Sequence, residues 1–222
     1  MAGDAGDRGA GGGAGLRAVL SGGSVAVAPS LLGWWLVRSL DVDGERVGLR
    51  GRIVEVEAYA GPDDRAAHSF GGRRTARVES MYGRAGTSYV YFTYGMHHCM
   101  NVVVAGDGVP EAVLIRALEP SVGSEGVMRR LRAGASGRGA GVLRAGDLCS
   151  GPAKLCQSMG IDRSLDGVDL VDGGADLWLE RGEACGEVCA GRRIGLGRGA
   201  GEWAARPWRW WERGNGHVSR GG

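Results

Sequence analysis

Within residues 52–59, apolar residues recur at every second position from 54 to 58, with carboxylates between them. This pattern predicts a β-strand, because successive side chains of a strand point to opposite faces of the sheet. One face carries apolar residues that suit a core, namely Val54, Val56 and Ala58. The other face carries two carboxylates and a phenol, namely Glu55, Glu57 and Tyr59. Carboxylates on an otherwise apolar strand are costly to bury, so Glu57 is a candidate for chemistry.

The surrounding pattern predicts a hairpin. Leu31-Leu32-Gly33 resembles the end of a short helix, with Gly33 in the left-handed cap position. Residues 34–40 are predicted to form a strand, and residues 41–44 (Asp-Val-Asp-Gly) a turn into the strand that contains Glu57.

Further along the chain, β-rich runs are predicted to form strands at residues 87–94, 99–105, 111–118, 176–181 and 193–196. Short helices are predicted at residues 125–132 and 150–159, the second capped by Ser150 and ended by Gly160. Residues 61–86 and 133–146 are polar and rich in glycine, and are predicted to be long loops. The fold class is therefore α+β: a single domain on a curved antiparallel β-sheet, with short helices and long loops around it.

Composition sets the bounds of this domain. A chain of 222 residues with 43% hydrophobic residues can bury a core. Residues 1–23 contain nine glycines and no apolar stretch of the signal-peptide kind, so we expect a disordered tail there. The folded domain is expected at residues 24–214, followed by a flexible tail at 215–222. No run of residues reaches the length of a membrane span, so an intracellular protein is expected.

Cysteine and lysine usage narrows the chemistry. The five cysteines are odd in number and scattered, which argues against a disulfide framework, and their spacings do not match common zinc sites, so no metal is expected. Lys154 is the only lysine, which removes most candidates for a Schiff-base nucleophile.

The net charge of +2 is small, but the positive charge is concentrated in three segments. Residues 65–84 hold five arginines against one glutamate, and residues 192–222 hold seven arginines against two glutamates. Residues 124–154 hold six basic residues against two acidic ones. Such stripes attract phosphate whatever the total charge, although a solvated arginine-rich surface would show the same pattern.

Three patches carry candidate chemistry, and each has an ordinary explanation when taken alone. Glu57 could form a structural ion pair with Arg52 or Arg116. The tyrosines of residues 89–94 could pack across strands, and Arg116 needs a carboxylate partner because it lies in an apolar run. Together, a carboxylate, an arginine, flat aromatic faces and an amide suit a pocket that stacks a nucleobase while water attacks beside it. The amide is Asn101.

Five stretches, in order, resemble the alkyladenine (3-methyladenine) DNA glycosylase family. They are RIVEVEAYAGPDDRAAHS (52–69), GTSYVYFTYGMHHCMN (86–101), LIRALEP (114–120), LCSGPAKLC (148–156) and GEWAARP (201–207). The resemblance covers roughly residues 29–214. The chain departs from the family pattern at residues 133–146, 185–189 and 208–211. The last of these ranges is rich in tryptophan, and its side chains are expected to pack rather than to read bases.

The resemblance implies a monofunctional, monomeric enzyme without a cofactor that removes alkylated or deaminated purines from double-stranded DNA. It implies that Glu57 activates the attacking water with help from Arg116. The damaged base would lie in a pocket formed by Tyr59, His68, Tyr91 and Asn101, and Tyr94 would wedge into the duplex. Asn101 would obstruct the amino group of guanine. The protein would be associated with DNA, in the cytoplasm or nucleoid of a bacterium or the nucleus of a eukaryote.

Two other functions fit parts of the pattern. A lesion-binding module would flip or stack bases without cleaving them, but the retained Glu57 and Arg116 count against it. A carbohydrate hydrolase using Glu55 and Glu57 is disfavoured because side chains two residues apart on one strand lie too close to flank a glycosidic bond.

Overall fold

The computed structural model describes residues 10–137, 143–172 and 176–219. Its helices are α1 (Ala10–Leu20), α2 (Ser24–Ser30), α3 (Glu125–Ser136), α4 (Ala145–Leu148) and α5 (Pro152–Met159). Its strands are β1 (Trp35–Val42), β2 (Glu45–Tyr59), β3 (Ser88–Thr93), β4 (His97–Val104), β5 (Glu111–Pro120), β6 (Leu177–Glu180), β7 (Val188–Gly191) and β8 (Arg209–Glu212). Short 3₁₀ turns lie at Gly61–Asp63, Phe70–Gly72, Glu79–Tyr82, Arg163–Leu165 and Arg198–Ala205.

The strands form one antiparallel sheet in the order β3-β4-β5-β2-β1-β6. The long strand β2 organises it: the half that begins at Glu45 pairs with β1, and the half that ends at Tyr59 pairs with β5. The short strand β8 also pairs with β2 at Glu55–Glu57, and β7 pairs with β8. The sheet curls into a half-barrel with short helices around it, which confirms the predicted α+β class.

A β-bulge lies within β2. The register against β5 shifts between Ile53 and Val56, so the strand bends where its two halves meet different partners. As a consequence Ile53, Val56 and Ala58 belong to the main hydrophobic core, whereas Val54 is buried outside it. The predicted alternation therefore holds beyond the bulge and fails at Val54.

The predicted β1–β2 hairpin is confirmed. Asp43 and Gly44 both adopt positive φ angles, of 54° and 84°, as the tight turns that match the twist of paired strands require. The main core packs α2, α3 and α5 against the sheet, with buried residues such as Leu36, Ile115, Met128 and Leu155. The 61–86 connection contains three 3₁₀ turns.

Several expectations about the ends and loops were wrong. Residues 10–20 of the expected disordered tail form α1, because its apolar residues pack onto the core and Leu20 is fully buried. In the expected flexible tail, Ser219 is buried. Residues 1–9 and 220–222 lie outside the described residues, and the domain boundaries at 24 and 214 stay predictions.

Three local assignments also differ. Helix α3 continues to Ser136, four residues into the expected loop, part of which (138–142) lies outside the described residues. Residues 193–196 do not form a strand; the strand in that region is β7. The residue before α5 is Gly151 with φ of 146°, so Ser150 is not the cap, and its hydroxyl accepts a hydrogen bond from Lys154 instead.

No helix within the described ranges is long and apolar enough to cross a membrane.

Gly33 lies in a conformation that only glycine adopts without strain. Its φ is 87°, and a Cβ atom there would overlap the carbonyl oxygen of Glu183. Gly44 has a similar φ of 84°, but a Cβ atom there would meet nothing within 4 Å. We expect Gly44→Ala to lower the free energy of unfolding by about 1–2 kcal/mol through backbone strain alone. Gly33→Ala should lower the free energy of unfolding clearly more, by about 3 kcal/mol. Urea unfolding of the two variants measures both losses. Equal losses in the two variants would contradict this assignment.

Candidate active site

Glu57 lies in the middle of the curled sheet, between β5 and β8, and its side chain is fully buried. Its Oε1 accepts a hydrogen bond from the backbone N–H of Ile194 at 2.7 Å and lies 3.0 Å from Nη1 of Arg116. Its Oε2 accepts a hydrogen bond from the hydroxyl of Tyr59 at 2.9 Å. Both carboxylate oxygens are therefore oriented by donors.

Glu57 belongs to a buried ion cluster of two carboxylates and two guanidinium groups, Glu55, Glu57, Arg116 and Arg209. Arg116 and Arg209 each donate from Nε to Oε1 of Glu55, at 2.9 and 2.6 Å. All four side chains are at least nine-tenths shielded from solvent. Buried charges are tolerated when they are paired and hydrogen-bonded, and this cluster has equal numbers of each sign.

Burial is the strongest influence on the Glu57 carboxyl, and it raises its pKa above the ordinary value. The charge of Arg116 and the hydrogen bonds from Ile194 and Tyr59 oppose the shift, whereas the nearby charge of Glu55 adds to it. A buried carboxylate with a raised pKa is a stronger base than an exposed one. Glu57 is thus suited to accepting a proton.

A cavity of about 480 Å³ opens beside this cluster. Aromatic and polar side chains from the predicted set line it: Tyr59, His68, Tyr91, Tyr94, Asn101 and Arg116. Glu57 itself lies just behind the wall, hydrogen-bonded to residues that form it. The structure therefore brings together all of the side chains selected from the sequence.

Tyr59 forms one wall, and a buried arginine supports it from outside the cavity. The guanidinium carbon of Arg193 lies 4.8 Å from the centre of the Tyr59 ring. Arg193 forms a fully buried ion pair with Asp64 and donates to the carbonyl of Ala58 at 2.9 Å. These contacts hold the loop that presents the N–H of Ile194 to Glu57.

A second aromatic group lies on β3 and the 61–86 connection. Nδ1 of His68 is 2.8 Å from the hydroxyl of Tyr89, and its ring meets that of Tyr91 edge-on with centroids 4.6 Å apart. The rings of Tyr89 and Tyr91 are tilted by 31° with centroids 5.4 Å apart. Packing along β3, and between β3 and the 61–86 connection, thus fixes the orientation of the rings that face the cavity.

Asn101 lies on β4, where it pairs with Tyr89 across the ladder. Its side-chain nitrogen donates to the carbonyl oxygen of Tyr89 at 3.0 Å, and the residue is buried. The hydrogen bond fixes the amide at the cavity wall, where it limits the shape of anything that enters.

Tyr94 lies at the tip of the β3–β4 hairpin and is 81% exposed. It has a positive φ of 52°, followed by Gly95 with φ of 67°. A non-glycine residue in this region is uncommon and is found where a tight turn requires it. The turn projects an aromatic side chain into solvent at the mouth of the cavity, beside the exposed Met96.

The sequence patterns did not identify several residues that build the site. Ser219 was assigned to a flexible tail and the segment that contains Arg193 to a strand, while Asp64, Tyr89 and Arg209 received no role. Arg193 follows Arg192 in an arginine-rich segment, and the sequence carries no signal that distinguishes it from the other arginines there. Within the parts of the chain that the structure describes, no three His, Cys, Asp or Glu side chains converge where a metal ion could bind.

The family model described as "Methylpurine-DNA glycosylase (MPG)" matches residues 19–216 of this chain. The chain belongs to the methylpurine-DNA glycosylase family. It is 49% identical to a protein of Homo sapiens named "DNA-3-methyladenine glycosylase" over 88% of this chain and 64% of that protein. It is 44% identical to a "Putative 3-methyladenine DNA glycosylase" of Desulfitobacterium hafniense over 88% of this chain and 93% of that protein.

The "DNA-3-methyladenine glycosylase" of Mus musculus is 48% identical, with 58% of its length matched. The chain thus spans about three-fifths of the two mammalian members of the family and nearly all of the bacterial one. The family match includes every residue of the ion cluster and of the cavity wall.

The surroundings of His68 predict its protonation state. Burial, with Arg77 and Arg73 nearby, lowers its pKa to about 4 from an ordinary value of 6.5. Since the folded-state pKa lies below the unfolded value, His68 contributes to stability above about pH 6.5, and this contribution is lost as the pH falls towards 4. In an NMR titration, we expect the His68 ring signals, assigned with His68→Gln, to titrate near pH 4. A midpoint near 6.5 would contradict the proposed burial.

Proposed function

We propose that this protein is a monofunctional DNA glycosylase of base excision repair that acts on damaged purines in duplex DNA. The observation that supports this most directly is the pairing of Glu57 with Arg116 behind an aromatic cavity of about 480 Å³. A purine base requires a flat cavity with aromatic walls, and a member of the methylpurine-DNA glycosylase family is expected to have one.

A base stacked in a duplex is out of reach, so the enzyme must first flip the nucleotide out, at a cost of a few kcal/mol. In this proposal Tyr94 takes the place of the departing nucleotide, since its ring is exposed at the mouth of the cavity. The arginines of the basic segments are available for phosphate contacts, with Arg73, Arg77, Arg192 and Arg198 exposed.

The flipped purine would stack between Tyr59 and Tyr91, with His68 at its edge. N-alkylated purines carry a positive charge, which the faces of aromatic rings favour. Asn101 would obstruct the exocyclic amino group of guanine and so disfavour the normal base, whereas 7-methylguanine carries the same group but leaves readily because it is cationic. The substrates expected from this pocket are 3-methyladenine, 7-methylguanine, hypoxanthine and ethenoadenine.

For the chemical step, Glu57 removes a proton from a water molecule whose oxygen attacks C1′ of the deoxyribose. The electron pair of the N-glycosidic bond leaves with the base, and an abasic site remains. The carboxylate and Arg116 also hold the water against a transition state that resembles an oxocarbenium ion. Lys154, the only lysine, forms no part of the cavity wall, which accords with hydrolysis by water rather than by an amine.

An alkylated purine is already a good leaving group because of its charge, whereas a neutral lesion such as hypoxanthine needs a proton. His68 is neutral at neutral pH because its pKa is lowered to about 4. It therefore lacks the acidic proton of an imidazolium ion, and we propose that its role is to shape the pocket.

Glu57→Gln tests the proposal. The amide retains the shape of the side chain but cannot accept a proton, so we expect the single-turnover rate of base release from an ethenoadenine or hypoxanthine duplex to fall about 10²–10⁴-fold. Affinity for the lesion duplex should change little. The matched control is Glu45→Gln, an exposed carboxylate at the start of the same strand, which should behave as the wild type. Tight lesion binding without any product from the wild type would instead indicate a lesion-binding module.

The raised pKa of Glu57 predicts a pH dependence. Glu57 acts as a base only when it is ionised, so activity is lost as the pH falls through its pKa. Because that pKa lies above the ordinary carboxyl value, the acid limb of the kcat/KM profile should lie at higher pH than for an exposed glutamate. A profile that stays flat down to the ordinary carboxyl range would show that Glu57 is not the base.

A further inference from the structure

Glu55 accepts four hydrogen bonds beside the site, although the sequence assigned it no catalytic role. It is completely buried. Its Oε1 accepts from Nε of Arg116, Nε of Arg209 and the hydroxyl of Ser219, at 2.9, 2.6 and 2.8 Å. Its Oε2 accepts from the backbone N–H of Ser219 at 2.7 Å. These four hydrogen bonds fix the positions of both carboxylate oxygens.

The bonds of Arg116 show what these donors accomplish. Three of its nitrogens are engaged: Nε donates to Glu55, Nη1 pairs with Glu57, and Nη2 donates to the hydroxyl of Ser219 at 3.3 Å. A guanidinium group is planar, so bonds at Nε and Nη2 determine where Nη1 points. Glu55 and Ser219 therefore determine the contact between Arg116 and Glu57.

Hydrogen bonds hold the segment 215–219, the last one described, in the place where Ser219 contacts the ion cluster. The side chain of Asn215 donates to Glu119 at 3.0 Å and to Glu212 at 2.8 Å. Its oxygen accepts from the backbone N–H of His217 at 2.9 Å. Ser219 follows two residues later and is 7% exposed. The segment thus closes the ion cluster on the side away from the cavity.

We propose that Glu55 and Ser219 are positioning residues of this site: together they hold the Arg116 guanidinium so that it orients Glu57, and the segment 215–219 is a required part of the active site. This inference rests on the proposed function. It extends the catalytic machinery to a carboxylate and a hydroxyl that do not line the cavity.

The proposal predicts how the charge of Glu57 responds to its neighbours. The charged and titratable groups that face Glu57, from every strand and loop around it, are Glu55 and Tyr59 (β2), Tyr91 (β3), Cys99 (β4), Arg116 (β5), Arg209 (β8) and Arg193. Glutamine at position 55 keeps an oxygen that can accept from Nε of Arg116 but removes a negative charge, so both arginines stay and Glu57 is the only carboxylate that faces them. The ionised form of Glu57 is then favoured, and its pKa falls.

Three variants of the full chain test this. Glu55→Gln should shift the titration of the Glu57 carboxyl to lower pH, as followed by NMR of ¹³C-labelled glutamate with the signal assigned by Glu57→Gln. The acid limb of the base-release profile should shift in the same direction. Ser219→Ala, a smaller change, should slow single-turnover base release about tenfold or more, because the guanidinium is less well oriented, while the Kd for lesion duplex is unchanged. Ser219→Thr, which restores a hydroxyl, should recover most of the rate.

The control is Ser158→Ala, which also removes a buried hydroxyl, one that donates to the carbonyl of Leu148 at 2.7 Å. It should leave base release unchanged whatever its effect on stability. The proposal is overturned if Ser219→Ala releases base at the wild-type rate, or if Glu55→Gln leaves the Glu57 titration in place. The NMR arm needs no activity, so an inactive wild type would refute the proposed function while the positioning of Glu57 could still be judged.

Discussion

The charge balance of the buried ion cluster is the constraint on which the rest of this structure depends. Two carboxylates on β2 are taken fully out of water, and each would be strongly destabilising without a partner. The partners come from two other strands, Arg116 on β5 and Arg209 on β8. The cluster therefore requires that β2 be flanked by both strands at this point, and the bulge near Val54 accompanies that arrangement.

The same constraint connects distant parts of the chain to the cavity. The loop that follows β7 supplies the N–H of Ile194 to Glu57. Ser219, the last described residue, donates two hydrogen bonds to Glu55. Arg193 and Asp64 form another fully buried ion pair next to Tyr59. The guanidinium of Arg193 packs against the Tyr59 ring and so holds that wall of the cavity. Arg116 and the loop of Ile194, which orient Glu57, are themselves held by hydrogen bonds to Glu55, Ser219 and Asp64.

Much of the fold followed from patterns in the sequence because those patterns are local. Alternation located β2, the Asp-Gly turn located the hairpin, and aromatic and β-branched runs located β3, β4 and β5. The errors arose where tertiary contacts outweigh composition. The glycine-rich α1 forms although glycine disfavours helices, because its few apolar residues reach the core and Arg17 pairs with Asp169. The segment after Gly191 runs without strand pairing because its groups bond to Glu57 and Asp64 instead.

The sequence by itself determined which chemical groups are present: a strand carrying Glu55, Glu57 and Tyr59, a tyrosine-rich strand, and an arginine within an apolar run. The ordered motifs also carried the family resemblance, which the family model confirmed. Only the tertiary structure decided the pairings. Glu57 had two candidate partners, and the sheet register placed Arg116 beside it and gave Arg52 to Glu119 and Glu212. Which charges meet depends on the curl of the sheet and on Ser219 far along the chain, and neither is visible in local periodicity.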